Sequence, residues 1–183
     1  MKYIFYTLIA GFIMIGCKTS KDYLSRSEND NTLFDAVKTL KKNSGDTSAL
    51  NALPVLYTLA QQRNLRKINS YSSSRELARW DKIIESYNTL QRMHDAIIEV
   101  DAASRVVTPE NYRQAIYDIK QQAAADHYAQ ATEFLNKPGR SDAKKAYNYF
   151  KKADALVPGY EDARLKMDEA YQYAIVNVVV NPV

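Results

Sequence analysis

The sequence predicts an all-α protein, and three observations carry that reading. Glycine and proline are scarce, five of each in 183 residues, while Ala, Lys, Glu, Gln and Leu, which favour helix, are abundant. β-Branched residues rarely cluster before residue 175. Apolar positions recur at steps of three and four between clear stops, as one face of a helix requires. The expected architecture is a series of antiparallel helical hairpins over residues 31–175, stacked as an α-solenoid or gathered in a bundle.

The chain opens with MKYIFYTLIAGFIMIGC. Lys2 gives a basic start, and Tyr3 to Ile15 is an apolar run too short for a permanent membrane span and suited to a signal-peptide core. Met14-Ile15-Gly16-Cys17 places an aliphatic residue and a small residue before the single cysteine of the chain. This resembles the lipobox of bacterial lipoproteins, here of a Bacteroidetes-like kind. The resemblance implies that residues 1–16 are a cleaved signal peptide and that Cys17 carries acyl chains such as palmitate, enough of them for a stable anchor. Lys18 stands where inner-membrane retention would place Asp, which implies the outer membrane. The run after Cys17 is not acidic, unlike a surface-export signal, which favours the periplasmic face over the cell surface. A lipidated Cys17 leaves no thiol for a disulfide or a metal site. Residues 17–30 are mostly polar and read as a tether.

Asn31 or Thr32 is suited to cap a first helix, which ends near Lys42 at Asn43-Ser44-Gly45. Asp46 or Thr47 caps a second helix, expected to run to about Asn69, with Pro54 kinking it or marking its true first turn near Asn51. The serines at 70 to 73 break that helix, and Ser73 with Glu76 has capping-box spacing. Leu77, Trp80, Ile84, Tyr87, Leu90, Ile97 and Val100 then form the strongest apolar face in the chain. Thr108 as cap and Pro109 at the first position open a helix expected to reach Leu135, where Lys137-Pro138-Gly139 stops it. Ser141 or Asp142 caps a shorter helix to about Leu156. Pro158-Gly159 makes a turn, and Tyr160 to Ala174 is helical again.

Internal self-similarity gives the architecture a name. Trp80, Ile83, Ile84 and Tyr87 fit the opening of a tetratricopeptide repeat, and Ala96, Ala103 and Pro109 fall at or beside its later Ala, Ala and Pro positions. In a second copy, Ala131 and Phe134 fit the first helix, and Ala146, Phe150, Ala153 and Pro158 fit the second. Small residues would let paired helices approach, with aromatics filling the space between them. His127 stands where Trp is usual, the first copy lacks a glycine at its inter-helix turn, and the copies lie farther apart than the ~34 residues of adjoining repeats. The chain therefore resembles a degenerate tetratricopeptide-like lipoprotein over roughly residues 73–175. That resemblance implies a concave face for partners.

The chemistry expected of these residues is binding without catalysis. His94 and His127 each adjoin an aspartate, but a metal needs about three converging ligands and neighbours on a helix diverge. No metal site and no cofactor are expected. Gly45, Gly139 and Gly159 are isolated, so no phosphate-cradling loop is present, and no serine sits in a Gly-x-Ser-x-Gly elbow. Glu161-Asp162 and Asp168-Glu169 read as solvated charge. A near balance of 25 basic and 21 acidic residues gives no nucleic-acid footprint. Lys144, Lys145, Lys151 and Lys152 stack two basic pairs on nearly one helical face, read first as solvated and second as a contact for an acidic partner or anionic head groups. Fourteen tyrosines are many for this length, and they suit a core or a recognition surface. Tyr87 and Tyr128 are expected in the core, and Tyr147, Tyr149, Tyr160, Tyr171 and Tyr173 are left open.

Residues 176–183, continuing from Ile175 as an apolar Val-rich tail, read as an extended segment in need of a partner, the start of a further domain, or the end of a long terminal helix. The leading expectation is a membrane-anchored envelope scaffold that binds another envelope protein or peptide, with no nucleic acid and an oligomeric state the sequence does not fix. The alternatives are the N-terminal anchor or spacer of a larger envelope enzyme, or part of a glycan-binding lipoprotein.

Overall fold

The structure, a computed structural model, describes residues 22–175. Residues 1–21, with the lipobox and Cys17, and the tail 176–183 lie outside the described residues. Within them the fold is all-α, with no strand. A one-turn 3-10 helix, Leu24–Arg26, leads into α1 (Asn31–Lys42), α2 (Thr47–Ser72), α3 (Arg79–Ile98), α4 (Asp101–Ser104), α5 (Arg113–Leu135), α6 (Arg140–Leu156) and α7 (Ala163–Ala174).

The first core gathers α1 to α4. Leu33, Ala36, Val37 and Leu40 of α1 are buried at helical spacing and meet Leu53, Leu56 and Ala60 of α2 and Ile83, Leu90, Met93 and Ile97 of α3. Folded structure begins earlier than the expected boundary at residue 31. Tyr23 is 1 % exposed and donates from its hydroxyl to Thr39 Oγ1 at 2.8 Å. A polar tether through residue 30 is therefore corrected, because one aromatic ring supplies enough apolar area to dock the segment.

Several expected helix ends also move, each for a local reason. The N-cap position of α1 falls on Asp30, with no side-chain cap bond, rather than on Asn31 or Thr32, and the preceding Asn29 side chain accepts from the Asn31 N–H at 2.9 Å. Asp46 caps α2 as expected, accepting from the Ala49 N–H at 2.9 Å. α2 passes through Pro54 instead of starting there, because buried Leu53, Leu56, Tyr57 and Ala60 hold both sides of it. It continues to Ser72, with Ser70 and Ser72 donating back to the carbonyls of Lys67 and Ile68 at 2.8 Å each. The Ser73 and Glu76 capping box does not form. Ser74 Oγ accepts from the Glu76 N–H at 3.2 Å, and α3 starts at Arg79.

The first repeat copy is corrected more deeply. α3 runs unbroken from Arg79 to Ile98, so Ala96 shares a helix with Trp80 instead of standing on a second one. Ala103 falls in four-residue α4, and Pro109 falls in a non-helical stretch. Buried Leu90, Gln91 and Met93 occupy the place where the motif needs a turn. α5 does not begin at Thr108 and Pro109 either. The Glu110 N–H is donated to the Tyr57 hydroxyl at 2.8 Å and the Tyr112 N–H to Gln91 Oε1 at 2.7 Å, so α2 and α3 hold that stretch out of a helix.

α5 joins two cores. Ile116, Ile119 and Ala123 pack on the first. Farther along, Ala131, Tyr128, Phe134 and Leu135 belong to a second core with Ala146 and Phe150 of α6 and Ala163 and Ala170 of α7. Four alanines among its five buried residues let α5, α6 and α7 lie close together. Gly139, at φ +128°, precedes the first residue of α6, and no side chain caps that helix, so neither Ser141 nor Asp142 takes the expected part. Gly159 turns the chain at φ +77°, a conformation that disfavours a Cβ. Glu161, at φ 45°, keeps the helix from starting at Tyr160, and α7 begins at Ala163.

Candidate functional site

The polar residues of α3 that face away from its buried side stand at helical spacing: Asp81, Lys82, Glu85, Asn88, Thr89 and Arg92. They form the floor of a groove made of two joined clefts. One, of about 380 Å³, lies against α1 and α2 and takes Asp30, Phe34, Asn64, Lys67 and Tyr71 as its wall. The other, of about 460 Å³, reaches toward Leu156 at the end of α6. Glu85, Thr89 and Arg92 line both.

The wall is built around Asp30. Its carboxylate pairs with Arg63, whose Nε donates at 3.0 Å, and accepts from buried Asn64 Nδ2 at 2.9 Å. Asn64 also donates to the Ala60 carbonyl at 2.9 Å, so this amide is satisfied and held rigid. On the floor, Lys82 lies 3.6 Å from Glu85. Arg92 sets its guanidinium 5.9 Å from the Phe34 ring centroid and donates to Thr89 Oγ1 at 3.2 Å. Among the described residues neither Arg92 nor Lys67 has a carboxylate partner. The groove thus holds two cations without a carboxylate partner among the described residues, Lys67 and Arg92, in a cleft that Phe34 and Tyr71 also line.

The residues singled out in the sequence fall elsewhere. Trp80, Ile83 and Ile84 are buried in the first core, Tyr87 and Ala96 are half-buried beside it, and Ala103 is fully buried. Tyr87 packs on Tyr112 with centroids 6.0 Å apart. In the second unit Ala131, Ala146, Phe150 and Ala153 are fully buried, Phe134 is half-buried and Pro158 is exposed. Tyr128 is half-buried, edge-on to Phe150 at 5.2 Å. Its hydroxyl donates to Asp162, which pushes its pKa up to about 12. Tyr149 stacks on Phe134 at 5.7 Å, Tyr160 meets Tyr128 at 5.8 Å, and Tyr147 meets Tyr171 at 6.2 Å, while Tyr171 and Tyr173 stay exposed.

The histidine pairs differ from one another. His94 and Asp95 do meet, Nδ1 to Oδ1 at 3.0 Å, and that bond, aided by Gln91 and Arg113, lowers the Asp95 pKa. His127 is not bonded to Asp126, whose carboxylate instead accepts from Arg79 Nη2 at 2.7 Å and Trp80 Nε1 at 3.0 Å. Among the described residues no group of three or more His, Cys, Asp or Glu could hold a metal ion. The lysines of α6 separate: Lys145 lies 3.2 Å from Asp142 and Lys152 3.4 Å from Asp81, while Lys144 and Lys151 are exposed. No helix among the described residues is long and apolar enough to cross a membrane.

Sequence reasoning did not find the groove. Its one local signal is Asn64, a polar residue in the register Tyr57, Ala60, Asn64, Ile68 that is otherwise apolar and buried. No family model matches the chain, and no curated protein or solved structure matches it.

Proposed function

We propose that this chain is a cell-envelope lipoprotein, anchored in the outer membrane through Cys17 and facing the periplasm, that acts as a non-catalytic scaffold for another envelope protein or peptide. The observation that carries the binding part is the groove over α3, in which Lys67 and Arg92 stand without carboxylate partners. Its occupant is an extended acidic segment of a partner: Arg92 and Lys67 take its carboxylates, and Phe34 and Tyr71 take its apolar carbons. The anchor rests on the Met14 to Cys17 motif. A tetratricopeptide-like unit is proposed for α5 and α6 alone, with α7 covering them. Support comes from the fully buried Ala131, Ala146, Phe150 and Ala153 at the contact of a helical hairpin. Such a unit would brace the far end of the groove through Leu156.

Crosslinking in intact cells tests the binding part. The wild-type chain should give a discrete adduct in the membrane fraction, and Lys67→Glu with Arg92→Glu should abolish it while circular dichroism stays unchanged. Truncating one partner of a desolvated charge pair costs about 2–5 kcal/mol, so loss of roughly 30-fold or more in affinity is expected. An adduct of equal strength in the double variant refutes the groove. Incorporation of labelled palmitate tests the anchor separately, and continued labelling of Cys17→Ala refutes it.

A further inference from the structure

The place where the two cores meet holds a group that the binding reading leaves unused. His127 of α5 is 1 % exposed, and neither ring nitrogen has a hydrogen-bond partner. A neutral imidazole carries one donor and one acceptor, and leaving them unpaired in a buried site is costly. The ring is stacked on Tyr149 of α6, centroids 5.8 Å apart. Around it stand Asp81 of α3, Lys152 of α6 and the neighbouring Asp126 of α5. Each is already engaged. Lys152 Nζ donates to Asp81 at 3.4 Å, tying α6 to α3, and Asp126 accepts from Arg79 and Trp80 of α3.

We propose that His127 is an acid-operated latch on this junction: a proton taken up at its ring breaks the Lys152–Asp81 tie and lets α6, with α7, move away from α3. The driving force is electrostatic. A buried imidazolium must find an anion, and Asp81 and Asp126 are the carboxylates beside it. It also repels Lys152, so the Lys152 ammonium is displaced from the Asp81 carboxylate it pairs with across α6 and α3. Burial, with Lys152 second, keeps the His127 pKa below its ordinary value of 6.5 in the closed form, while Asp81 and Asp126 pull the other way. In the open form the ring titrates near 6.5, so the open form binds more protons over the window between the two values. Closure is therefore fully stable above 6.5, weakens as pH falls from there to the depressed pKa, and weakens no further below it. Asp81 and Leu156 both line the second cleft, so the motion would also reshape the groove. That coupling rests on the proposed function, whereas the latch itself does not.

Trp80 is the single tryptophan, and its indole N–H is held by Asp126 beside the latch, which makes it a built-in reporter. The test follows Trp80 emission and the His127 ring proton signal of the full chain from pH 7.5 to 4.5, with no partner present. The expected result is a red shift whose midpoint lies below 6.5 and coincides with the His127 titration. It should vanish in His127→Phe, and in Lys152→Gln, which removes the tie itself, the emission should already be red-shifted at pH 7.5. A ring that titrates while Trp80 emission stays constant overturns the latch. So does a transition unchanged in His127→Phe, or, should that variant not fold, a Lys152→Gln chain whose emission at pH 7.5 equals that of the wild type.

Discussion

Phe150→Ala tests the second core at its one large buried residue. The other buried members, Ala131, Ala146, Ala163 and Ala170, have no side-chain length with which to fill a void. Phe150 is fully buried and receives the edge contact with Tyr128 at 5.2 Å. Truncating a buried Phe costs about 3–5 kcal/mol, and a core of alanines on three helices has little room to collapse, which places this site near 4 kcal/mol. With a urea slope of about 2 kcal/mol per molar, the unfolding midpoint should fall by roughly 2 M. Hydrogen exchange should rise first in α6, α7 and the last turns of α5, because α1 to α4 keep their own core. Phe150→Leu keeps most of the volume and should lose less than about 1.5 kcal/mol. A midpoint that falls by less than roughly 0.5 M in Phe150→Ala, or exchange that rises equally in α1, would refute this account of two cores joined by α5.

Other outcomes follow from single contacts. Asp126→Ala leaves Arg79, whose side chain is 17 % exposed, with only the Ser74 carbonyl and the Trp80 indole with no acceptor; a loss of about 2–3 kcal/mol is expected by urea denaturation, together with a shift in Trp80 emission. Asp30→Ala orphans Arg63 and leaves buried Asn64 only its bond to the Ala60 carbonyl, and should cost about 2 kcal/mol, whereas exchanging Asp30 and Arg63 together for a same-shaped apolar pair should cost less. Gly159→Ala meets no atom within 4 Å, so the expected loss of about 1 kcal/mol is purely conformational, from a Cβ at φ +77°. Tyr112 is held protonated well above its ordinary range, first by burial and then, against the Gln61 bond, by Glu110. Its unfolded form therefore releases a proton first, and stability should fall as pH rises above about 10, with a shallower fall in Tyr112→Phe.

What the sequence made legible was local. The Asp46 cap needs only Ala49, and the stop at Lys137-Pro138-Gly139 needs only its own backbone. The start of α5 was not legible, because distant groups decide it. Thr108-Pro109 is a good helix opening in isolation, yet Tyr57 and Gln91 take the Glu110 and Tyr112 N–H groups first. The alanines at motif positions suggest a second helix after Tyr87, whereas the apolar positions from Trp80 to Ile97 keep the register of one helix, and the structure has one. Tyr23 was missed because one buried aromatic in a polar stretch has no periodicity. The groove was hidden for the same reason. Lys67 and Arg92 look like any solvated cation until α1, α2 and α3 bring them to one wall and floor.

The face over α3 is the proposed binding face for a partner. A photo-crosslinking residue placed at Asn88, exposed in the groove, and at Asn148, exposed on α6, compares that face with another in living cells. The account expects one discrete membrane-fraction adduct from position 88, lost when Lys67 and Arg92 carry Glu, and none from position 148. Equal adducts from both positions, or an adduct from 148 alone, would contradict it.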